Sequence, residues 1–149
     1  MALLWFPDQW KKVQADRSLI PNMVEESLRF NSPAQCLTRV AMADTEICGV
    51  KIAKGEIVLP LLASANHDEL LFSESEKFDV RRNAKGHLSF GVGIHFCLGS
   101  PLARLQARIA FEELFASVTA LERIDAKPLT WIDSFFFRGV RELGLRFHQ

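Results

Sequence analysis

The sequence predicts a mixed, mainly helical α+β chain, and three patterns support this class. Amphipathic segments follow Pro7 and Pro21, and a proline in the first turn is typical of a helix start. β-branched residues concentrate between 36 and 62, which favours strands. A wide apolar stripe over about Leu98–Val118 indicates one long helix. With 149 residues, the chain has the size of one ordinary domain.

Two short helices are predicted in the first part of the chain. The first covers Asp8–Ala15, and the second runs from Pro21 to about Arg29. The second must end before Pro33, because the residue that precedes a proline disfavours helical geometry. The first six residues are apolar without a helix cap, so we expect the chain to begin inside a helix. They also lack the basic region and cleavage site of a signal peptide.

The middle of the chain is predicted to be a small sheet followed by a loop. Residues 36–62 form the sheet, with a turn at Lys54-Gly55. Residues 64–85 are polar and irregular, so we expect a long surface loop with brief helical turns.

A glycine-rich segment, Phe90–Gly99, leads into the predicted helix over Leu98–Val118. Pro101 falls in the first turn of that helix, where proline is tolerated. The tail, Leu129–Gln149, alternates apolar and polar residues, which predicts a final hairpin with its turn near Arg138-Gly139.

Charge and cysteine content narrow the range of partners. Eighteen basic and eighteen acidic residues cancel, so the composition predicts neither a nucleic-acid nor a membrane-surface partner. We see no apolar run of the roughly 18 residues that a membrane span needs. Three cysteines without a CxxC pair predict reduced thiols and a cytoplasmic location.

The strongest functional signal is the segment Phe90–Gly99, which places Cys97 at the mouth of the long helix. Unpaired amides and the helix dipole there favour the thiolate, the form of cysteine that binds metals. Glycines let the backbone approach a flat group and adopt positive φ. Apolar neighbours would shield the sulfur from water. The glycines are Gly91, Gly93 and Gly99, and the apolar neighbours are Phe90, Phe96 and Leu98.

Local chemistry alone leaves two other interpretations of Cys97. With His95 nearby it could be a catalytic nucleophile, or it could be a buried structural cysteine. The segment matches all six specified positions of the haem-binding signature FGxGxHxCxG, and on this ground the chain resembles the cytochrome P-450 family. The resemblance implies that haem is the cofactor and that Cys97 is the axial thiolate ligand of its iron.

A second motif, Glu26-x-x-Arg29, carries the same resemblance. Residues at positions i and i+3 share a helix face, so the two charges can pair, although most such pairs are solvated and contribute little. In the family this ExxR pair is buried and linked to an arginine that precedes the cysteine loop. From the spacing after Phe78, we expect Arg81 rather than Arg82 to be this third partner.

The resemblance also implies roles for residues around the haem. Arg39 and His95 are expected to bind propionates, for which an arginine fork is well suited. Leu37 and Phe136 are expected to face the substrate. From the residues alone, Arg39 could equally be a surface arginine, His95 a loop histidine, and the apolar residues plain core positions. Phe90, Gly91, Gly93 and Gly99 are expected to contact the cofactor.

The resemblance begins partway through the family fold, so we interpret residues 1–149 as a single, truncated C-terminal haem-binding portion. The missing part would contain the central helix that delivers protons to bound oxygen. Three hypotheses remain: a haem-thiolate monooxygenase that inserts one oxygen atom from O2 into an organic substrate, a non-catalytic remnant of a truncated gene, or a fragment that assembles with a missing N-terminal portion.

For the first hypothesis, the expected partners are a small apolar substrate and a redox partner such as a ferredoxin or reductase. A basic patch could bind an acidic ferredoxin, or its charges could simply be solvated surface charge. The patch consists of Arg81, Arg82, Lys85, Arg104 and Arg108.

Overall fold

The computed structural model describes residues 1–124 and 128–148. This part of the chain contains five α-helices and six short β-strands. The helices are α1 (Ala2–Trp5), α2 (Pro7–Ala15), α3 (Ile20–Phe30), α4 (Leu62–Ala65) and α5 (Ser100–Ser117). The strands are β1 (Arg39–Val40), β2 (Thr45–Ile47), β3 (Val50–Ile52), β4 (Ile57–Val58), β5 (Ala120–Arg123) and β6 (Leu145–His148). The mixed, mainly helical class is confirmed.

The three longer helices start where the prolines predict. Pro7, Pro21 and Pro101 each occupy the first or second position of α2, α3 and α5. The fixed φ of proline suits the first turn, where its missing N–H would have no intrahelical partner. None of the helices in the described residues combines the length and the apolar character that crossing a bilayer requires.

The main core lies where α2 and α3 pack against the C-terminal end of α5. The Trp10 ring lies 4.2 Å from the Phe115 ring, centroid to centroid. The Trp10 indole also donates a 3.0 Å hydrogen bond to the Thr119 carbonyl, which satisfies its only polar group. Val13 and Met23 are fully buried in the same cluster. Together these contacts fix the direction of α5, at whose N-terminal end the glycine-rich segment lies.

The strands form three antiparallel pairs, β1 with β4, β2 with β3, and β5 with β6. The expected turn at Lys54-Gly55 is present, and Gly55 adopts a φ of +91°, which favours glycine. The prediction of a hairpin within 129–149 needs correction. The last strand, β6, pairs with β5, which lies before that segment. Within residues 129–149, an isolated antiparallel bridge joins Trp131 to Val140, so the turn between them lies in residues 133–138.

The expectation of a surface loop over 64–85 is wrong in one respect. The segment is irregular, as predicted, but several of its residues are buried. It folds back over α3 and contributes core residues. Its backbone carbonyl and amide groups form hydrogen bonds with the charged side chains that α3 buries, which keeps the segment in place. The buried residues are Asn66, Phe72, Ser75, Phe78, Val80 and Ala84.

Candidate cofactor site

The glycine-rich segment forms a closed loop immediately before α5. The Cys97 amide donates a 2.8 Å hydrogen bond to the Phe90 carbonyl, which closes the loop, and a 3-10 turn, Gly93–His95, lies within it. Gly91 has a φ of +72°, and a Cβ there would lie 3.3 Å from the His95 carbonyl oxygen. A side chain at Gly91 would therefore strain the backbone and crowd the loop. The glycines are expected to permit positive φ; Gly91 and Gly93 adopt it, at +72° and +65°, whereas Gly99 has a φ of −80°.

The outer face of this loop is apolar and open to solvent. Ile94 and Leu98 are each 97% exposed, and Cys97 is an exposed free thiol between them in the chain. Exposed apolar side chains in such a continuous group mark a binding surface. A free thiol with apolar neighbours and a close backbone suits a flat, apolar group that carries a thiophilic metal. The residues present therefore fit haem. Other exposed apolar side chains of the loop and α5 are Val92, Phe96, Leu102, Leu105 and Ile109.

Behind the loop, Glu26 and Arg29 form a fully buried ion pair. Arg29 Nε and Nη2 donate to the two carboxylate oxygens of Glu26 at 2.7 and 3.0 Å, and both side chains have 0% exposure. Arg29 also donates to the Asn66 and Lys77 carbonyls at 2.8 and 3.3 Å. Because a buried charge is costly unless it is paired and hydrogen-bonded, these contacts make the pair tolerable.

The third member of this network is Arg82, and the expectation of Arg81 is wrong. Arg82 Nε donates to Glu26 Oε1 at 3.2 Å, and its side chain is 14% exposed. The Asp79 amide donates to the same oxygen at 3.0 Å. Arg81 is exposed, because the turn that begins at Asp79 directs the Arg81 side chain outward and the Arg82 side chain toward α3.

Asn66 connects the buried pair to the cysteine loop, a role that the sequence analysis missed. It is fully buried, and its carbonyl accepts from Arg29. Its amide nitrogen donates to the hydroxyls of Ser32 and Ser89 at 2.7 and 2.9 Å, and its Oδ1 accepts from the Leu88 amide at 2.6 Å. All of its side-chain polar atoms are satisfied, which favours a single arrangement. The run Ala65-Asn66-His67-Asp68, which shares in the family resemblance, was the only sequence signal, and it did not indicate that Asn66 is buried.

A second ionic cluster, beside the first, involves the other glutamate of α3. Glu25 accepts two hydrogen bonds from Arg104, at 2.6 and 2.9 Å, and lies 3.0 Å from His87 Nε2. Burial raises the pKa of Glu25, but the hydrogen bonds from His87 and Arg104 outweigh it and lower the pKa to about 2. The hydrogen bonds that Arg104 donates to Glu25 in turn raise the pKa of Arg104.

These pairings reduce the charge of the proposed basic patch. Arg104 pairs with Glu25, Arg82 with Glu26, and Arg108 with Glu112 at 3.5 Å. Three of its five members therefore have a carboxylate partner, so the surface is less positive than the count of arginines suggests.

The remaining predicted residues lie on neighbouring segments. Arg39 begins β1, and its Nη1 donates to the Thr38 carbonyl at 2.8 Å. His95 ends the 3-10 turn and is exposed. The segment that contains Leu37 runs beside Phe136, whose carbonyl accepts from the Gln35 amide at 2.8 Å. The structure thus brings the two expected substrate-facing residues onto adjacent segments.

Comparisons with known proteins agree with this arrangement. A family model described as Cytochrome P450 matches residues 8–120. The chain is similar to 6-deoxyerythronolide B hydroxylase of Saccharopolyspora erythraea, with 44% identity over 97% of this chain and 36% of that protein. It is 45% identical to the steroid C26-monooxygenase of Mycobacterium tuberculosis, over 94% of this chain and 38% of that protein.

A solved structure shows the same fold. The structure of cytochrome P450 CYP109Q5 from Chondromyces apiculatus superposes with a TM-score of 0.92 and 48% identity, over 98% of this chain and 38% of that chain. The present chain therefore spans little more than a third of the length of the proteins that it matches.

Proposed function

The chain belongs to the cytochrome P450 family, whose cofactor is haem, and from this premise we propose that residues 1–149 are the haem-binding C-terminal portion of a monooxygenase. In this proposal the Cys97 thiolate would hold the haem iron. The observation that carries it is the closed loop before α5, in which an exposed free thiol lies among exposed apolar side chains. Thiolate ligation supplies the electron density that favours O–O cleavage by haem.

The residues of this chain would hold and orient the cofactor. Ile94 and Leu98 would pack against the apolar face of the ring and exclude water from the sulfur. Arg39 and His95 would bind the propionates. An arginine fork suits a carboxylate, and Arg39 has no carboxylate partner among the described residues. The Glu26–Arg29 pair and Asn66 would keep the loop in one arrangement, because each of their polar groups is already satisfied.

The activity that we propose is that of the complete fold, the O2-dependent insertion of one oxygen atom into an organic substrate. Leu37 and Phe136 support an apolar substrate, since they lie on adjacent segments. The names of two relatives, a hydroxylase and a steroid monooxygenase, agree with an organic substrate. A redox partner such as a ferredoxin or reductase belongs to this proposal. The free thiols Cys36, Cys48 and Cys97 support a reducing compartment such as the cytoplasm.

A haem titration of the purified chain tests this function. The reduced protein under carbon monoxide should show the red-shifted Soret band of a thiolate ligand. Cys97→Ala should lose that band. Cys48→Ala is the matched control, because Cys48 is also an exposed free thiol but lies in the turn between β2 and β3. A band that survives in Cys97→Ala would exclude Cys97 as the ligand, and an equal loss in Cys48→Ala would show that the effect is not specific to Cys97.

A further inference from the structure

Glu25 lies where α3, α5 and the residues before the cysteine loop meet. Arg104 binds both of its carboxylate oxygens, and such a bidentate pair fixes orientation as well as distance. His87 contacts the same carboxylate, and its side chain is 3% exposed. One carboxylate therefore connects two different segments to α3.

The hydrogen bonds of His87 define the ring nitrogen that carries the proton. Its Nδ1 accepts from the Ser89 amide at 3.2 Å. The proton of a neutral ring must then lie on Nε2, which donates to Glu25 at 3.0 Å. A ring that carries its proton on Nε2 satisfies both contacts.

Arg104 extends the connection to the loop itself. Its guanidinium carbon lies 4.6 Å from the centroid of the Phe90 ring, which is within the range of a cation–π contact. The Phe90 carbonyl accepts the hydrogen bond from the Cys97 amide that closes the loop. A continuous path of contacts therefore runs from Glu25 through Arg104 and Phe90 to the peptide group of the cysteine.

We infer that Glu25 is a positioning residue for the Cys97 loop and acts through Arg104 on Phe90, an inference that rests on the proposed haem-binding function. His87 holds the carboxylate from the other side, so that the glutamate presents one fixed face to Arg104. An ordinary surface pair does not have this geometry. Arg108 and Glu112 on the same helix make one contact of 3.5 Å, and both are about half exposed.

Amide hydrogen exchange in the 149-residue chain without haem is the first test. Glu25→Gln removes the charge that holds the Arg104 fork, so the Cys97 amide should exchange about tenfold faster or more, while amides in the interior of α3 keep their rates. Arg104→Lys retains the positive charge but not the planar fork, and should have the same local effect. The matched control is Glu112→Gln, which removes a carboxylate from an arginine of the same helix and should change neither rate.

Titration with haem, with a thiolate-type carbon monoxide band as the readout, completes the test. Glu25→Gln should weaken haem binding by about 10-fold or more, and Glu112→Gln should not. The inference is overturned if the Cys97 amide stays protected in both Glu25→Gln and Arg104→Lys, or if exchange rises equally throughout α3. Failure of the proposed function looks different: the parent chain then binds no haem through Cys97, whatever the exchange rates.

Discussion

Glu26→Gln is the sharpest perturbation of the buried network, because it removes a charge and changes almost no volume. Glu26 Oε1 accepts from Arg29, Arg82 and the Asp79 amide, and Oε2 accepts from Arg29 Nε. The new NH2 group must therefore face at least one donor in either orientation. Arg29 also keeps a full charge at 0% exposure without its counterion.

Breaking a buried pair in this way costs about 3 to 5 kcal/mol. The free energy of unfolding of a domain is about 5 to 15 kcal/mol, so the variant should lose a large fraction of it. With a denaturant dependence of about 2 kcal/mol per molar urea, the unfolding midpoint should fall by roughly 2 M. Far-UV circular dichroism during urea titration measures this shift.

Glu112→Gln is the control for this measurement. It also removes a carboxylate from an arginine, but Glu112 is 49% exposed and its contact with Arg108 is 3.5 Å long. Its midpoint should move by less than about 0.5 M, since exposed pairs contribute about 1 kcal/mol or less. If the two variants shift the midpoint equally, then the buried pair does not stabilise the fold and our reasoning is refuted.

Two further predictions concern neighbouring groups. Arg82→Ala should lower the free energy of unfolding by about 1 to 3 kcal/mol, because it leaves Glu26 and three carbonyls short of a donor. Arg81→Ala should change it by no more than about 0.5 kcal/mol. Equal effects in urea titrations would contradict this distinction, and a larger effect of Arg81→Ala would return the role to Arg81. The lowered pKa of Glu25 should stabilise the native state above about pH 4.5, and this contribution should fade as the pH drops toward about 2. The free energies of unfolding of the parent and Glu25→Gln should differ by on the order of 1 kcal/mol after solvent screening, and this difference should shrink as the pH falls through that window. Urea titrations at several pH values measure it, and a constant difference would contradict the lowered pKa of Glu25.

Features that lie close together in the sequence could be predicted from it. The loop that holds Cys97 is one continuous segment, and its glycines specify the turn. Glu26 and Arg29 are three residues apart, which places them on one face of a helix, so their spacing predicted the contact. The starts of the helices followed from Pro7 and Pro101, which need only local geometry.

Contacts between distant segments could not be predicted in the same way. Arg81 and Arg82 are adjacent and identical, and only the direction of the turn at Asp79 decides which one reaches Glu26. Asn66 is polar and lies in a polar segment, which is typical of the surface, and its burial depends on how that segment folds over α3. The partner of β6 was also missed, because strand pairing is set by tertiary contacts that the alternation of residues does not encode.

The spacing of the buried network along the chain has a consequence for protein synthesis. Arg82 follows Glu26 by 56 residues, and at about 5 to 20 residues per second a ribosome needs roughly 3 to 11 s to make that stretch. Until then the Glu26–Arg29 pair lacks Arg82, and early in that stretch it also lacks Asn66, Lys77 and Asp79, so water must solvate the pair and α3 cannot take its buried position. A nascent chain that has passed α3 but not Arg82 should therefore remain sensitive to proteases, and resistance should appear in one late step.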